Sequence, residues 1–201
     1  MILPRVVGLS GNLRRPSRTR ALVEAVAAAL ADQREIDLSV YDLLDAGPGL
    51  GAAYTRGDLT PDAARVVEAI ETADALVVGT PVYKGSYTGL FKHLFDLVDP
   101  KALADKPVVL TATGGGPRHA LVVEHQLRPL FGFFAALTVP TAVYASDQDF
   151  RGVIPADGQL RQRIAGAAMQ LERLLPTPED ASFVANGSGH AQAVAPWGSA
   201  Q

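Results

Sequence analysis

Five times along the chain a short apolar run is followed by a segment whose apolar residues recur with helical period, and that alternation constrains the fold more than anything else here. The strand-like runs are Arg5 to Ser10, Ile36 to Tyr41, Ala75 to Thr80, Val108 to Thr113 and Val139 to Ala145. Between and after them lie an alanine-rich segment, 61–72, the stretch around Leu90 to Val98, 118–134 and 159–175. In the first of these Leu22, Val23, Val26, Ala27 and Leu30 make one stripe on a 3.6-residue repeat, which must lie against a sheet. The run ALVVGT at 75–80 is apolar on both faces, so both must be covered. Strict strand-helix alternation with short connections predicts a doubly wound α/β fold: a five-stranded parallel sheet in the flavodoxin-like order 2-1-3-4-5.

With 201 residues, 48% of them apolar, the chain can bury a sizeable core as a single domain, assigned to 1–175. Residues 176–201 are rich in Pro, Ala, Gly and Ser without helical or strand period, and read as a flexible tail; its His190 and Trp197 are given no role. The stretch 42–60 is the one long irregular segment inside the domain, and its length suits a lid, a subunit contact or plain surface. Cysteine is absent, which excludes disulfides, thiolate metal sites and a cysteine nucleophile. A formal charge of -3 argues against nucleic acid as a partner. No apolar run reaches the roughly 20 residues of a membrane span, and Met1 to Arg5 does not look like a secretory signal. The expectation is a cytoplasmic protein with no membrane contact.

In such a sheet the ligand crevice lies outside the carboxyl ends of the strands, where the strand order reverses. Three loops at those ends are unusual. The first, residues 10–19, brings Ser10, Asn12, Arg14, Arg15, Ser17, Arg18 and Thr19 together directly before a helix. Unpaired N–H groups at a helix start, the helix dipole, hydroxyls and guanidinium forks all favour an anion. The same residues also suit a capped helix with solvent-facing arginines. Neither G-x-x-x-x-G-K-[ST] nor G-x-G-x-x-G is present, so a monophosphate fits better than a pyrophosphate. The second loop, 80–89, carries Pro81, Val82, Tyr83 and Lys84 among glycines and hydroxyls; the third places Gly114, Gly115 and Gly116 after Thr113, where bare backbone can approach a flat ligand. A phosphate, a polyol and a planar heteroaromatic ring match the three loops, and FMN has all three parts.

The segments SGNLRRPSRT, TPVYKGSYTGLFKHLFDL and TATGGGPRHALVVEHQLRPL resemble the corresponding motifs of the NAD(P)H-dependent FMN reductase family. The resemblance runs from about Val6 to Ser146 and is closest to the reductase components of two-component alkanesulfonate and methanesulfonate monooxygenases. It implies that Ser10, Asn12, Arg14, Ser17, Arg18 and Thr19 hold the FMN phosphate. Pro81, Val82, Tyr83 and Lys84 would then line the ribityl chain and ring, with Thr113, Gly114, Gly115 and Gly116 under the ring edge. The family's first loop usually reads G-S-x-R, where this chain has Asn12 and Leu13 after Gly11. The implied activity is hydride transfer from NAD(P)H to FMN, with reduced flavin passed to a flavin-dependent monooxygenase. A quinone, azo or metal-ion reductase holding FMN, or a non-enzymatic flavodoxin-like carrier, are the alternatives.

Cofactor chemistry of this kind asks the protein for orientation, so no catalytic acid or base is assigned; His119, after the glycines, is the one candidate. His119 and His125 stand about 240° apart on a helix, a poor metal pair, and no metal is expected. Arg15, Arg20, Arg56 and Arg118 are all candidate partners for a coenzyme 2′-phosphate. Pro129 inside a helical pattern predicts a kink or a one-residue π-bulge, and the resemblance places that helix at a subunit interface with His125 near the contact. Phe131, Phe133 and Phe134 look too rich for one buried face and favour a homodimer or homotetramer.

Overall fold

A computed structural model describes residues 3–176; the predicted tail, with His190 and Trp197, lies outside them beyond Pro176. Parallel strands β1 (Arg5–Ser10), β2 (Asp37–Asp42), β3 (Ala75–Pro81) and β4 (Pro107–Gly114) pair in the order β2-β1-β3-β4. Helices α1 (Arg18–Ala31), α2 (Pro61–Thr72), α3 (Gly89–Asp96), α4 (Arg128–Phe133) and α5 (Gly158–Glu172) flank the sheet. Alternate residues face alternate layers: Val7, Leu9, Leu76, Val78 and Leu110 belong to one core with α2, α3 and α4, whereas Val6, Ala75, Val77 and Val109 belong to the other with α1 and α5. The predicted architecture and strand order are therefore those observed, and among the described residues no helix is long and apolar enough to cross a membrane.

The fifth sheet position differs from the single predicted strand. It holds two short strands, β5 (Leu137–Thr138) and β6 (Val143–Ser146), both paired parallel with β4. Between Thr138 and Val143 this edge advances five residues while β4 advances only three, from Val108 to Thr111. Pro140 stands in the interruption and has no N–H for the ladder, as expected where a proline meets a strand. A small antiparallel hairpin, β7 (Phe150–Arg151) with β8 (Ile154–Pro155), follows.

The helix predicted over 118–134 is also broken. A 3₁₀ turn covers Pro117–His119, a π-helix covers Val123–Leu127, and α4 starts only at Arg128. Arg128 N donates to Val123 O, five residues back, and Pro129 then supplies no N–H at all. The wide turn before Pro129 is the bulge that the proline foreshadowed. Of the three phenylalanines expected to overfill the buried face, Phe131 and Phe134 are buried against Phe95, with ring centroids 5.0 and 6.1 Å away, while Phe133 is exposed. The loop 42–60 is neither lid nor bare surface: Leu43, Ala46, Leu50 and Ala53 are buried in the α2/α3 core, and His93 Nε2 donates to Leu50 O at 2.9 Å.

Two features fix where α1 begins. Gly8 and Gly79 face α1, and a Cβ on Gly79 would stand 2.6 Å from Val23 Cγ2 and 2.5 Å from Thr111 Oγ1. Their missing side chains let the first turns of the helix settle onto the sheet. The second feature is Asp42, the last residue of β2, whose side chain is fully buried. Its carboxylate accepts from Arg15 Nε at 2.7 Å and Nη2 at 2.8 Å, from Arg20 Nη1 at 3.1 Å and from Asn12 Nδ2 at 3.2 Å. Burial alone would raise this carboxyl, but the hydrogen bonds from Arg15, Asn12 and Arg20 outweigh it and hold it below the usual carboxylate range. Both the incoming loop and the first turn of α1 are thus tied to the end of β2.

Two variants test this. Gly79→Ala is expected to cost about 1–3 kcal/mol through overpacking, read as a lower urea midpoint with unchanged slope. Asp42→Asn is expected to cost about 2–3 kcal/mol at neutral pH, because charge-assisted bonds are lost inside the protein. With its folded-state value depressed, Asp42 contributes stability that is fully present above the unfolded carboxylate value of about 4 and disappears as pH falls through the folded value. Unfolding titrations of the two proteins should therefore converge on the acid side; a gap that stays constant down to pH 2 would contradict the assignment.

Candidate functional site

The first loop leaves β1 in the middle of the sheet and is pinned at once: Gly11 N donates to Gly79 O at 2.7 Å, and Thr88 Oγ1 donates to Gly11 O at 3.2 Å. A side chain at Gly11 would strike Phe91 at 2.9 Å. Asn12 spends its amide on Arg14 O and Asp42, and its Oδ1 is buried without a partner among the described residues, as is Ser10 Oγ. Ser17 caps α1, its Oγ accepting from Arg20 N at 3.2 Å, and the first turn of α1 carries no acidic residue. Four arginines are sorted by this geometry. Arg15 and Arg20 are consumed by Asp42 and Asp45. Arg18 reaches Asp147, and Arg14 is exposed, its guanidinium making no hydrogen bond or ion pair to any described residue.

The other two loops are bolted to the first. Thr19 and Thr113 share a buried hydroxyl–hydroxyl hydrogen bond of 2.6 Å, and Val82 N donates to Thr113 O at 2.7 Å. Tyr83 and Ser86 exchange backbone bonds of 2.9 and 3.1 Å around Lys84 and Gly85, whose φ values of 53° and 85° make a tight reversal. Ser86 Oγ donates to Gln126 Oε1 at 3.0 Å, anchoring that reversal to the π-helix. At the end of β4, Tyr144 OH crosses Gly114 to donate to Gly116 O at 2.5 Å, and a Cβ on Gly114 would meet that hydroxyl at 2.5 Å. Nothing lies within 4 Å of where a Cβ on Gly115 would be, so its backbone faces open space.

Together the loops bound a cleft of about 570 Å³. Of the residues singled out from the sequence, Asn12, Arg14, Ser17, Arg18, Thr19, Pro81, Val82, Tyr83, Thr113, Gly114 and Gly115 line it. Ser10 lies buried beneath the wall, Lys84 sits exposed at the tip of its reversal, and Gly116 is turned to Tyr144. His119 is half-buried on its 3₁₀ turn, away from the lining, and His125 is exposed. Leu13, Pro16, Asp147, Gly152 and Val153 line the cleft without having been singled out. The last three come from the segment after β6, whose end at Ser146 lies one residue from the predicted Ala145; the strand-end rule applied to that loop as well would have found them. Of the four arginines named for a coenzyme phosphate, Arg15 and Arg20 are held by Asp42 and Arg56 by Glu71, whereas Arg118 is exposed and unpaired among the described residues.

The lining combines a helix N-terminus, hydroxyls and guanidinium groups at one end with bare glycine backbone at the other. Comparison with known proteins gives this arrangement a family. The model of the NADPH-dependent FMN reductase family matches residues 4–151. An FMN reductase (NADPH) of Pseudomonas aeruginosa is 49% identical over 172 residues, covering 86% of this chain and 91% of that protein. The NADH-dependent FMN reductase SfnF of Pseudomonas fluorescens is 49% identical over 173 residues, covering 86% and 92%. Among solved structures, an oxidoreductase from Corynebacterium diphtheriae superposes with a TM-score of 0.76 at 39% identity, covering 87% of this chain and 98% of that one. The apo form of an NADH:FMN oxidoreductase, EMOB, superposes at 0.78 with 29% identity, covering 88% and 93%. On this evidence the chain belongs to the NADPH-dependent FMN reductase family.

Proposed function

We propose that the protein is an NAD(P)H:FMN oxidoreductase that transfers a hydride from nicotinamide to FMN in the cleft between the three loops. The observation that carries this reading is the division of the cleft into an anion end at α1 and a bare-backbone end at Gly114 and Gly115. Residues 12–19 suit a phosphate dianion: the first turn of α1 has unpaired N–H groups and no acid, Ser17 keeps its own hydroxyl proton to donate, and Arg14 is uncommitted. Thr19 and Ser10 act from below, the one holding Thr113 in place and the other filling the wall. Asn12 shapes the loop through its amide and offers the ligand its backbone. Pro81, Val82 and Tyr83 form the side wall, and Lys84 stands at the rim of the same loop.

FMN, when bound, supplies the hydride-accepting ring. The chain supplies orientation, which for well-aligned reactants is worth on the order of 7–11 kcal/mol of a barrier. The ionisable side chains lining the cleft among the described residues are Arg14, Arg18, Tyr83 and Asp147, and hydride transfer between two bound rings asks of them orientation and charge. His119 lies off the lining. The relatives named as FMN reductases include NADPH-dependent and NADH-dependent members, and we leave both coenzymes as substrates.

The flavin so reduced is a product: we propose that it leaves for a flavin-dependent monooxygenase acting on small organosulfonates, and that the enzyme works in the cytoplasm as a homodimer or homotetramer. The support is the motif resemblance to reductase components of such systems, together with the exposed Phe133 at the end of α4. Residues 176–201 are proposed to lie outside the catalytic domain.

The double variant Arg14→Ala/Ser17→Ala tests the phosphate end. It is expected to weaken FMN binding by about 2–4 kcal/mol, since a hydrogen bond to a charged group contributes about 1.5–3 kcal/mol, and to leave riboflavin, which lacks the phosphate, almost unchanged. Fluorescence titration with both flavins reads this directly. Equal losses for the two would mean that the loop serves folding and does not touch the ligand. NAD(P)H oxidation with free FMN as acceptor, coupled to a monooxygenase, checks delivery; tight FMN retention without turnover would point to a carrier.

A further inference from the structure

A carboxylate stands where an anion site should have none. Asp147 lines the cleft and accepts from Arg18 Nη1 at 2.7 Å. Arg18 Nε donates to Gly152 O at 2.9 Å, and its guanidinium carbon is 5.8 Å from the Phe150 ring centroid. Arg18 is the first residue of α1 and lines the anion end itself. Its side chain is nonetheless engaged by the 3₁₀ turn at Asp147 and by the hairpin that follows it. The hairpin does not need that bond to hold its shape. Asp149 caps the turn through Ser146 N and Oγ at 2.6 and 2.9 Å, Ala156 N donates to Asp149 O at 2.8 Å, and Phe150 is buried in the α1/α5 core. The Arg18–Asp147 pair is well exposed on both sides, a setting in which ion pairs contribute little to folding.

Resting on the reading that residues 12–19 take the FMN phosphate, we propose that Asp147 is a positioning residue that keeps FMN binding weak. It competes with the phosphate for Arg18 and adds a negative charge beside the dianion. An enzyme whose reduced flavin must reach another protein gains from such a competitor: every departing FMN finds its place on Arg18 refilled by a carboxylate already within reach. The site then trades affinity for release, and the trade is set by one side chain that touches neither ring nor reacting atoms.

Asp147→Asn and Asp147→Glu, assayed against FMN and riboflavin in the full-length protein, test this. Asp147→Asn is expected to tighten FMN about tenfold, the weight of one charge-assisted hydrogen bond, to leave riboflavin unchanged, and to lower both kcat and KM for FMN because release slows. Asp147→Glu, which keeps the charge, should restore wild-type behaviour, and raising the salt should narrow the gap between Asn variant and wild type. If wild type prefers FMN to riboflavin but Asp147→Asn leaves that preference unchanged or reduces it, the competition does not exist and Asp147 only fastens the hairpin. If wild type shows no preference for FMN over riboflavin, the phosphate assignment fails and this inference falls with it.

Discussion

One buried carboxylate organises the anion end of the cleft. Asp42 ends β2, beside Ser10 in the sheet register, and gathers Asn12, Arg15 and Arg20 from three places in the chain. A fully buried aspartate would be costly by itself; surrounded by two guanidinium groups and an amide it instead fixes the path of a loop that has little apolar material of its own. The consequence is a division of labour among arginines that look equivalent in sequence. Those next to Asp42 become scaffold, and Arg14, which the same loop carries outward, remains available to a ligand.

The three loops act as one wall because each is tied to its neighbour through the strand ends. Thr19 holds Thr113, Thr113 holds Val82, and Thr88 holds Gly11. Glycines at 8, 11 and 79 allow α1 and α3 to approach the sheet closely enough for those short bonds to form. Tyr144 closes the arrangement from the outside by gripping the Gly116 carbonyl, so that the backbone of Gly115 is presented without a side chain in the way. Positioning of this kind is all that a cofactor-borne hydride transfer requires of a protein.

The sheet was legible in the sequence wherever a strand is buried on both faces, as in Val6 to Ser10 or Ala75 to Thr80, because an unbroken apolar run has few other uses. It was less legible at the edge: Pro140 splits the last strand, and a two-residue excess relative to β4 leaves no mark on hydrophobic period. Loop 42–60 hid its core residues for a similar reason, since 3₁₀ turns bury Leu50 and Ala53 without a regular repeat. The anion loop was recognisable from its residue types, but their individual assignments were not. Whether Arg15 or Arg14 faces the cleft depends on Asp42, 27 residues from Arg15, and Asp147 enters the site on a 3₁₀ turn after the last strand, where the sequence reading did not look.

The most direct measurement is a crystal structure of the protein with FMN. The phosphate is expected at the N-terminus of α1, within hydrogen-bond reach of Arg14 and Ser17, and the ring edge against the backbone of Gly114 and Gly115. A flavin bound outside the cleft, or reversed so that its phosphate meets the glycines after β4, would contradict that placement.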